Sequence, residues 1–239
     1  MECPCKLLPL SLSSFTAAEY GDIHSLSKIQ NVATRRDDAG YTPLHFAAQF
    51  NHLAATALLL NLGCSVDGGG YCGATPLHRA SFSGATATMK VILEWNSDDI
   101  LPYISFGDES TPLHKAAGGG RYLAVHIILE ALKERDSRLQ QHQNNNTIRE
   151  SSSSSKKSSW LQCGLEARDK YGRTSFDVAK QFHAIQDTER AAVARWDAVA
   201  GGVADWEKCI QLLQNANAAA VAATAVVVVN IEKESKTNN

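Results

Sequence analysis

The tetrapeptide Thr-Pro-Leu-His occurs three times in this chain, at Thr42–His45, Thr75–His78 and Thr111–His114. Successive copies are 33 and then 36 residues apart. An apolar triplet follows each copy at a constant distance, at Leu58–Leu60, Val91–Leu93 and Ile127–Leu129. Two landmarks that move together at one step indicate a repeated structural unit, and the three extra residues lie between Leu93 and Thr111.

Each copy has the residues that begin and end a short helix. Threonine is a favoured N-cap, and proline suits the first helical position, where a backbone N–H would lack a partner. Gly84 and Gly120, with Asn51 at the equivalent place, tolerate the left-handed conformation that ends such a helix. The apolar triplet lies on a second helix. Because a unit of this size cannot bury its apolar face alone, neighbouring units must stack.

This pattern resembles the ankyrin repeat, which has the same tetrapeptide signature and period. The resemblance covers residues 15–135 directly and residues 163–215 more loosely. It implies an all-α ankyrin-repeat solenoid of helix–turn–helix repeats with β-turn tips, with about five units including degenerate end caps. Phe15–Ile29 is the predicted N-terminal cap. Thr174–Lys180 and Val203–Gln214 are the predicted helices of a last, divergent repeat.

Three blocks carry a closer resemblance, to the family of ankyrin repeat domain-containing protein 39. They are Asp38–Thr42, Gly73–Ser81 and Leu113–Ala117. The chain departs from that family in a long insertion and in an extended C-terminus.

Composition divides the rest of the chain. Residues 136–162 contain Asn144–Asn146 and Ser151–Ser155 without an apolar cluster, so they are predicted to be a disordered insertion. Residues 1–14 are predicted to be an N-terminal tail. Residues 216–239 form an Ala/Val-rich and then polar tail, which is predicted to begin as a helix and to fray towards its end.

The charge balance argues against several classes of partner. With 23 basic and 25 acidic residues the net charge is −2, too small to attract nucleic acid or an anionic membrane directly. The longest apolar run, Ala218–Val229, is shorter than the ~20 residues that span a bilayer. Six cysteines match no disulfide framework or zinc pattern, which favours reduced thiols in the cytoplasm or nucleus. Lipidation of Cys3 or Cys5 is an alternative.

No catalytic or metal chemistry is evident in the sequence. His45, His78 and His114 recur in equivalent places, but packed helices lie ~8–10 Å apart and zinc–nitrogen bonds are ~2 Å long. Each imidazole is therefore expected to hydrogen-bond the turn and threonine of its own repeat. No nucleophile elbow, zinc-protease motif or phosphate loop is present. The sequence thus predicts no enzyme, no cofactor and no metal.

The resemblance implies that partners bind the turn tips and the exposed, concave side of the first helices. Carried over by position, the tip residues are Arg35, Arg36, Asp37, Asp38, Tyr71, Phe106, Asp108, Lys170 and Tyr171. The helix residues are Phe46, Gln49, Phe50, Arg79, Phe82, Ser83 and Lys115. Some of these phenylalanines could instead pack against the next repeat. Because Glu109 replaces a turn glycine and Phe106 an aspartate, the third turn is expected to be distorted.

The leading interpretation is a protein–protein interaction module or adaptor that is monomeric by itself. One alternative is a nuclear regulatory cofactor that reaches DNA through another protein. Another is an enzyme with an unrecognised site.

Overall fold

The computed structural model describes residues 13–68, 70–95, 107–145, 159–186 and 205–237. The regular structure of these residues is helical. The α-helices are α1 Ser14–Tyr20, α2 Ile23–Lys28, α3 Pro43–Gln49, α4 Leu53–Asn61, α5 Pro76–Ser83, α6 Thr86–Trp95, α7 Pro112–Gly118, α8 Tyr122–Asn145, α9 Trp160–Glu166, α10 Ser175–Gln186 and α11 Trp206–Thr237. A short 3-10 helix covers Val32–Thr34.

The repeated tetrapeptide begins each of the helices α3, α5 and α7. Thr42, Thr75 and Thr111 are N-caps in extended conformation, and the proline that follows each is the first helical residue. Past each helix the chain enters the left-handed region, at Asn51, Gly84 and Gly120. The start and stop signals therefore act at the predicted positions.

The helices stack in two layers. The first helices of successive units, α1, α3, α5, α7 and α10, pack side by side, and so do the second helices α2, α4, α6, α8 and α11. This is a solenoid in which each unit contacts its neighbours. Helix α9 is additional to the repeat pattern and packs against α8 and α11.

The core runs continuously between the two layers. The tetrapeptide leucines Leu44, Leu77 and Leu113 are at most 2% exposed, and alanines such as Ala47 and Ala80 are fully buried. These small residues allow the layers to approach closely. In the second layer, Leu59 is fully buried.

Backbone hydrogen bonds also join the turns between units. The N–H of Tyr71 donates to the carbonyl of Ala39 at 3.0 Å, and the N–H of Gly107 to that of Cys72 at 3.1 Å. The third bond of this kind runs from the N–H of Lys170 to the carbonyl of Asp108, at 3.0 Å. The donor always lies four residues before the threonine position of its unit. The turn tips therefore have the same period as the helices.

The third turn keeps its path in spite of its unusual sequence. Glu109 adopts a φ of 54°, close to the φ of 78° at Gly40 and 74° at Gly73, which occupy the equivalent position. The expected distortion is absent at this residue because the glutamate takes the left-handed conformation itself, at a steric cost. Phe106 lies outside the described residues.

The predicted insertion differs from the structure at both ends. Residues 136–145 continue helix α8, and residues 160–162 belong to α9. Asp136 joins the two helices, because its carboxylate accepts the N–H groups of Trp160 and Leu161 at 2.6 and 3.1 Å. The sequence did not reveal this remote cap, since its groups are 24 and 25 residues apart. Residues 146–158 lie outside the described part.

Helix α11 supplies the second layer of the last unit. Trp206, Cys209 and Leu213 are buried, and Trp206 Nε1 donates to the carbonyl of Gly118 at 3.3 Å. The helix continues to Thr237, so residues 216–237 prolong it, as expected for a tail that begins as a helix. Val203 lies outside the described residues.

Replacing Leu59 by alanine should lower the free energy of unfolding by ~2–5 kcal/mol, because it removes buried methyl groups and leaves a cavity. Denaturant titration measures the loss. The matched control is Leu53→Ala on the same helix, whose leucine is 48% exposed and whose truncation should cost far less. Equal losses for the two variants would contradict the packing.

Replacing Glu109 by glycine should raise the free energy of unfolding by about 1 kcal/mol, because glycine adopts a positive φ without steric cost. The converse control is Gly172→Ala, since Gly172 has a φ of 74° and open space where a Cβ would lie. This second change should destabilise by a similar amount. If neither substitution changes the free energy of unfolding, the left-handed turns are wrongly placed.

Candidate functional site

Each tetrapeptide histidine joins its own threonine to the next unit. His45 Nδ1 accepts from the backbone N–H of Thr42 at 3.0 Å, with the Thr42 hydroxyl 2.9 Å away. Because a donor faces Nδ1, the proton lies on Nε2, which donates to the carbonyl of Ala74 at 2.9 Å. His78 reaches the carbonyl of Ser110 and His114 that of Arg173, each at 3.0 Å. The expected bond to the threonine is confirmed, but the second partner lies in the next repeat and not in the histidine's own turn.

The last unit replaces the histidine by Asp177. Its carboxylate accepts the N–H of Thr174 at 3.0 Å and the Thr174 hydroxyl at 2.8 Å. These hydrogen bonds hold the pKa of Asp177 below its usual value. An aspartate can accept from its own threonine but cannot donate onward. The substitution therefore retains the capping function of the histidine and omits its bridge to a following turn.

Burial favours the neutral form of His45 and of His114. Desolvation lowers the pKa of His45 to about 4 and lowers that of His114, although the carbonyl that accepts from each ring raises it. Both ring nitrogens of each histidine are engaged, so neither offers a free lone pair to a metal. Among the described residues, no group of three or more His, Cys, Asp or Glu is arranged to hold a metal ion.

Arg79 lies in an aromatic cradle on the exposed side of α5. Its guanidinium carbon is 4.5 Å from the ring centroid of Tyr41 and 5.8 Å from that of Phe46. Phe46 is half-buried and also packs edge-on against Phe15 of the N-terminal cap, with centroids 5.8 Å apart. Phe46 therefore has a structural role in packing against the N-terminal cap, in addition to its contact with Arg79.

The first-helix face, defined here as the exposed sides of α3, α5, α7 and α10, carries an aromatic stripe. Phe50, Phe82 and Phe182 occupy nearly equivalent places, and the exposed fractions of Phe82 and Phe182 are 41% and 40%. Gly118 occupies this place on α7, and a Cβ there would lie 3.6 Å from the Phe182 ring. Gln49 is half-buried, whereas Ser83 is buried and unavailable as a contact.

The structure brings Lys115 and Asp108 together. The ammonium group lies 2.5 Å from the carboxylate, and both side chains are about a third exposed. The Asp108 carboxylate also accepts the N–H and hydroxyl of Ser110. These two predicted contact residues are therefore already partners of one another.

The side chains at the turn tips differ in their solvent exposure and in their hydrogen bonds. Tyr71 and Tyr171 are 75% and 65% exposed, and Arg35 and Asp38 are also exposed. Arg36 donates to the carbonyl of Gly40, and Lys170 Nζ donates to that of Gly107. Asp37 turns inward, where its carboxylate accepts the N–H groups of Ala39 and Tyr41.

Tyr41, which lies beside the first-helix face, and Phe182, which lies on it, were not among the predicted contacts. Tyr41 supports the Arg79 guanidinium, and its hydroxyl lies 3.3 Å from the Cys72 thiol. Phe182 lies eight residues after Thr174, as Phe50 does after Thr42. Extending the register into the divergent last unit would have found Phe182, whereas no local pattern indicates the stacking of Tyr41 on an arginine one repeat away.

The described cysteines are unpaired. They are Cys64, Cys72, Cys163 and Cys209. Burial raises the pKa of Cys64 to about 11 and that of Cys209 to about 12, so both remain protonated thiols. Cys3 and Cys5 lie outside the described residues.

Comparison with protein families agrees with the geometry. Residues 15–105 match the family model for ankyrin repeats, in three copies. The fold is an ankyrin-repeat solenoid. The family match includes the first two bridging histidines, and the structure extends the ankyrin stack through the third repeat to α10 and α11.

The curated relatives match part of this chain. It is 41% identical over 88 residues to the human transient receptor potential cation channel subfamily A member 1, which covers 34% of the chain and 8% of the channel. It is 36% identical over 96 residues to alpha-latrotoxin-Lg1a of Latrodectus geometricus, covering 40% and 7%. A probable E3 ubiquitin-protein ligase of Oryza sativa subsp. japonica is 33% identical over 88 residues, covering 37% and 16%. The chain thus spans less than a fifth of each relative's length.

None of the described helices is both long and apolar enough to cross a membrane.

Ankyrin repeats are in general modules that bind other proteins. The described residues of the first-helix face combine exposed aromatic rings with a supported cation.

The pH dependence of stability should reflect the histidine bridges. The pKa of His45 is about 4 in the folded chain, below the ordinary value of 6.5, so the unfolded chain binds more protons between these values. Its contribution is fully present above pH 6.5 and is lost as the pH falls from 6.5 towards 4. Within this window, one such histidine lowers the free energy of unfolding by up to ~1.4 kcal/mol for each unit by which the pH falls.

The control for this effect is His45→Gln, since glutamine at this helix position can accept from the threonine but does not titrate. Denaturant titrations at several pH values should give a shallower slope for the variant, because both chains contain the same carboxylates. Parallel slopes would contradict the assignment of a neutral, bridging imidazole to His45.

Proposed function

We propose that this chain is a non-catalytic interaction module that binds a partner protein through its first-helix face and the adjoining turn tips. The observation that supports this most strongly is the Arg79 cradle together with the exposed Phe82 one turn later on α5. Aromatic residues and arginine dominate the binding energy of protein interfaces. Tyr71 and Tyr171 at the tips add rigid, exposed aromatic area.

Rigidity supports the same proposal. The rings of Tyr41 and Phe46 hold the Arg79 side chain in place before any partner arrives. A side chain that is already ordered loses less conformational entropy on binding. The bridges from His45 to Ala74 and from His78 to Ser110 likewise fix the spacing of the repeats that present these groups.

The resemblance to the family of ankyrin repeat domain-containing protein 39 remains a prediction, and we base no partner on it. Localisation to the cytoplasm or nucleus, and a monomeric state, are also part of the proposal. A role as a nuclear cofactor would require a DNA-binding partner at the same face.

The double change Arg79→Ala with Phe82→Ala should abolish capture of most partners, because interface anchors of this kind can each contribute ~2 kcal/mol or more. Affinity purification with quantitative mass spectrometry measures the loss. Removing the cation from its rings should cost the fold no more than about 1 kcal/mol, which thermal unfolding would show.

The matched control is Lys90→Ala with Leu123→Ala, which removes an exposed cation and an exposed apolar side chain from the second helices. That variant should keep its partners. If the control loses them and the first variant does not, recognition lies on the second-helix face and the proposal is wrong.

A further inference from the structure

The Arg79 cradle holds a positive charge that the described part of the chain does not neutralise. Its guanidinium stacks on Tyr41 and Phe46, and its Nε is buried without a hydrogen-bond acceptor. No carboxylate among the described residues forms an ion pair with it. A guanidinium that has no carboxylate partner within the described part of the chain can accept one from a bound partner.

The neighbouring repeat shows what an internal neutralisation of this position looks like. Lys115 is the equivalent of Arg79, four residues after the threonine, and it pairs with Asp108 at 2.5 Å. Asp108 lies three residues before its threonine. The equivalent residue in the Arg79 repeat is Cys72, whose thiol lies against the Tyr41 hydroxyl. The same backbone thus places a carboxylate beside one cation and a cysteine, with no carboxylate, near the other.

We propose that the partner supplies the missing carboxylate, as an aspartate or glutamate side chain flanked by apolar residues on a peptide segment. The apolar neighbours of that acid would lie on Phe82 and Phe50, beside the cradle. This inference rests on the proposed function and specifies the chemistry of the segment that is bound.

Three features favour a carboxylate over a phosphate-bearing or basic partner. One arginine provides a planar fork that matches one carboxylate. Lys115, the cation in the equivalent place on the adjacent helix, is already paired with Asp108 and is therefore not available to share a phosphate with Arg79. The surroundings are aromatic, and a weakly hydrated guanidinium stacked on rings gains more from an anion than a fully solvated cation does.

The test starts from a selection of random peptides displayed on phage against the full chain. A selected peptide is then synthesised with its acidic residue and with the corresponding amide. Fluorescence anisotropy measures the affinity of both peptides for the wild type and for Arg79→Gln. We expect selected sequences to place Asp or Glu beside aromatic or aliphatic residues. Either the amide or the Arg79→Gln change should weaken binding about tenfold.

The decisive result is the coupling between the two changes. If the acid and Arg79 contact each other, the amide peptide should lose little further affinity on the Arg79→Gln variant. Lys115→Gln serves as the control and should leave binding nearly unchanged. Because the peptide change leaves the protein intact, the loss of affinity that the amide causes on the wild type does not depend on the stability of any variant.

Three outcomes would overturn the inference. Selection of basic peptides would exclude a carboxylate, and so would additive losses in the cycle. If Phe82→Ala weakens every peptide while Arg79→Gln weakens none, the first-helix face is a binding surface but its cation recognises no acid, so the proposed function survives and this inference does not. Peptides that respond to neither change would remove the basis of both.

Discussion

The hydrogen bond from each tetrapeptide histidine to the next repeat is the interaction on which the rest of this structure depends. His45, His78 and His114 each donate from Nε2 to the carbonyl that precedes the next threonine position. Only a neutral imidazole can accept the threonine N–H at Nδ1 while it donates from Nε2, and burial favours this neutral form at His45. The bond to the next repeat sets the relative position of successive turns, and through them the register of the first helices. The last repeat ends the series with Asp177, which accepts but has nothing to donate.

Most of the fold could be predicted from the sequence because its information is local and repeated. A threonine, a proline and a terminating glycine act within one helix, so their spacing alone indicates α3, α5 and α7. The contacts that the sequence did not reveal are remote in the chain. Asp136 caps α9 from a distance of 24 residues, and Glu109 adopts a conformation that its side chain disfavours because neighbouring turns hold it there.

The candidate site was predictable in outline and not in its internal pairing. The register placed Arg79 and Phe82 on one helix, but not the stacking of Arg79 on Tyr41 in the preceding repeat. Likewise, the sequence indicated Lys115 and Asp108 as two separate contact residues, whereas in the structure they form an ion pair. Which cation has a carboxylate partner within the described chain, and which has none, depends on side-chain packing between repeats. No periodic pattern contains that information.

Site-specific photocrosslinking from the first-helix face tests most directly whether a partner binds there. Benzoylphenylalanine would replace Phe82 in one chain and, as the control, Leu123 on the second-helix side in another; both side chains are exposed. A partner bound as proposed should form a covalent adduct from position 82 and not from position 123. Adducts from position 123 alone would show that the partner binds the opposite face.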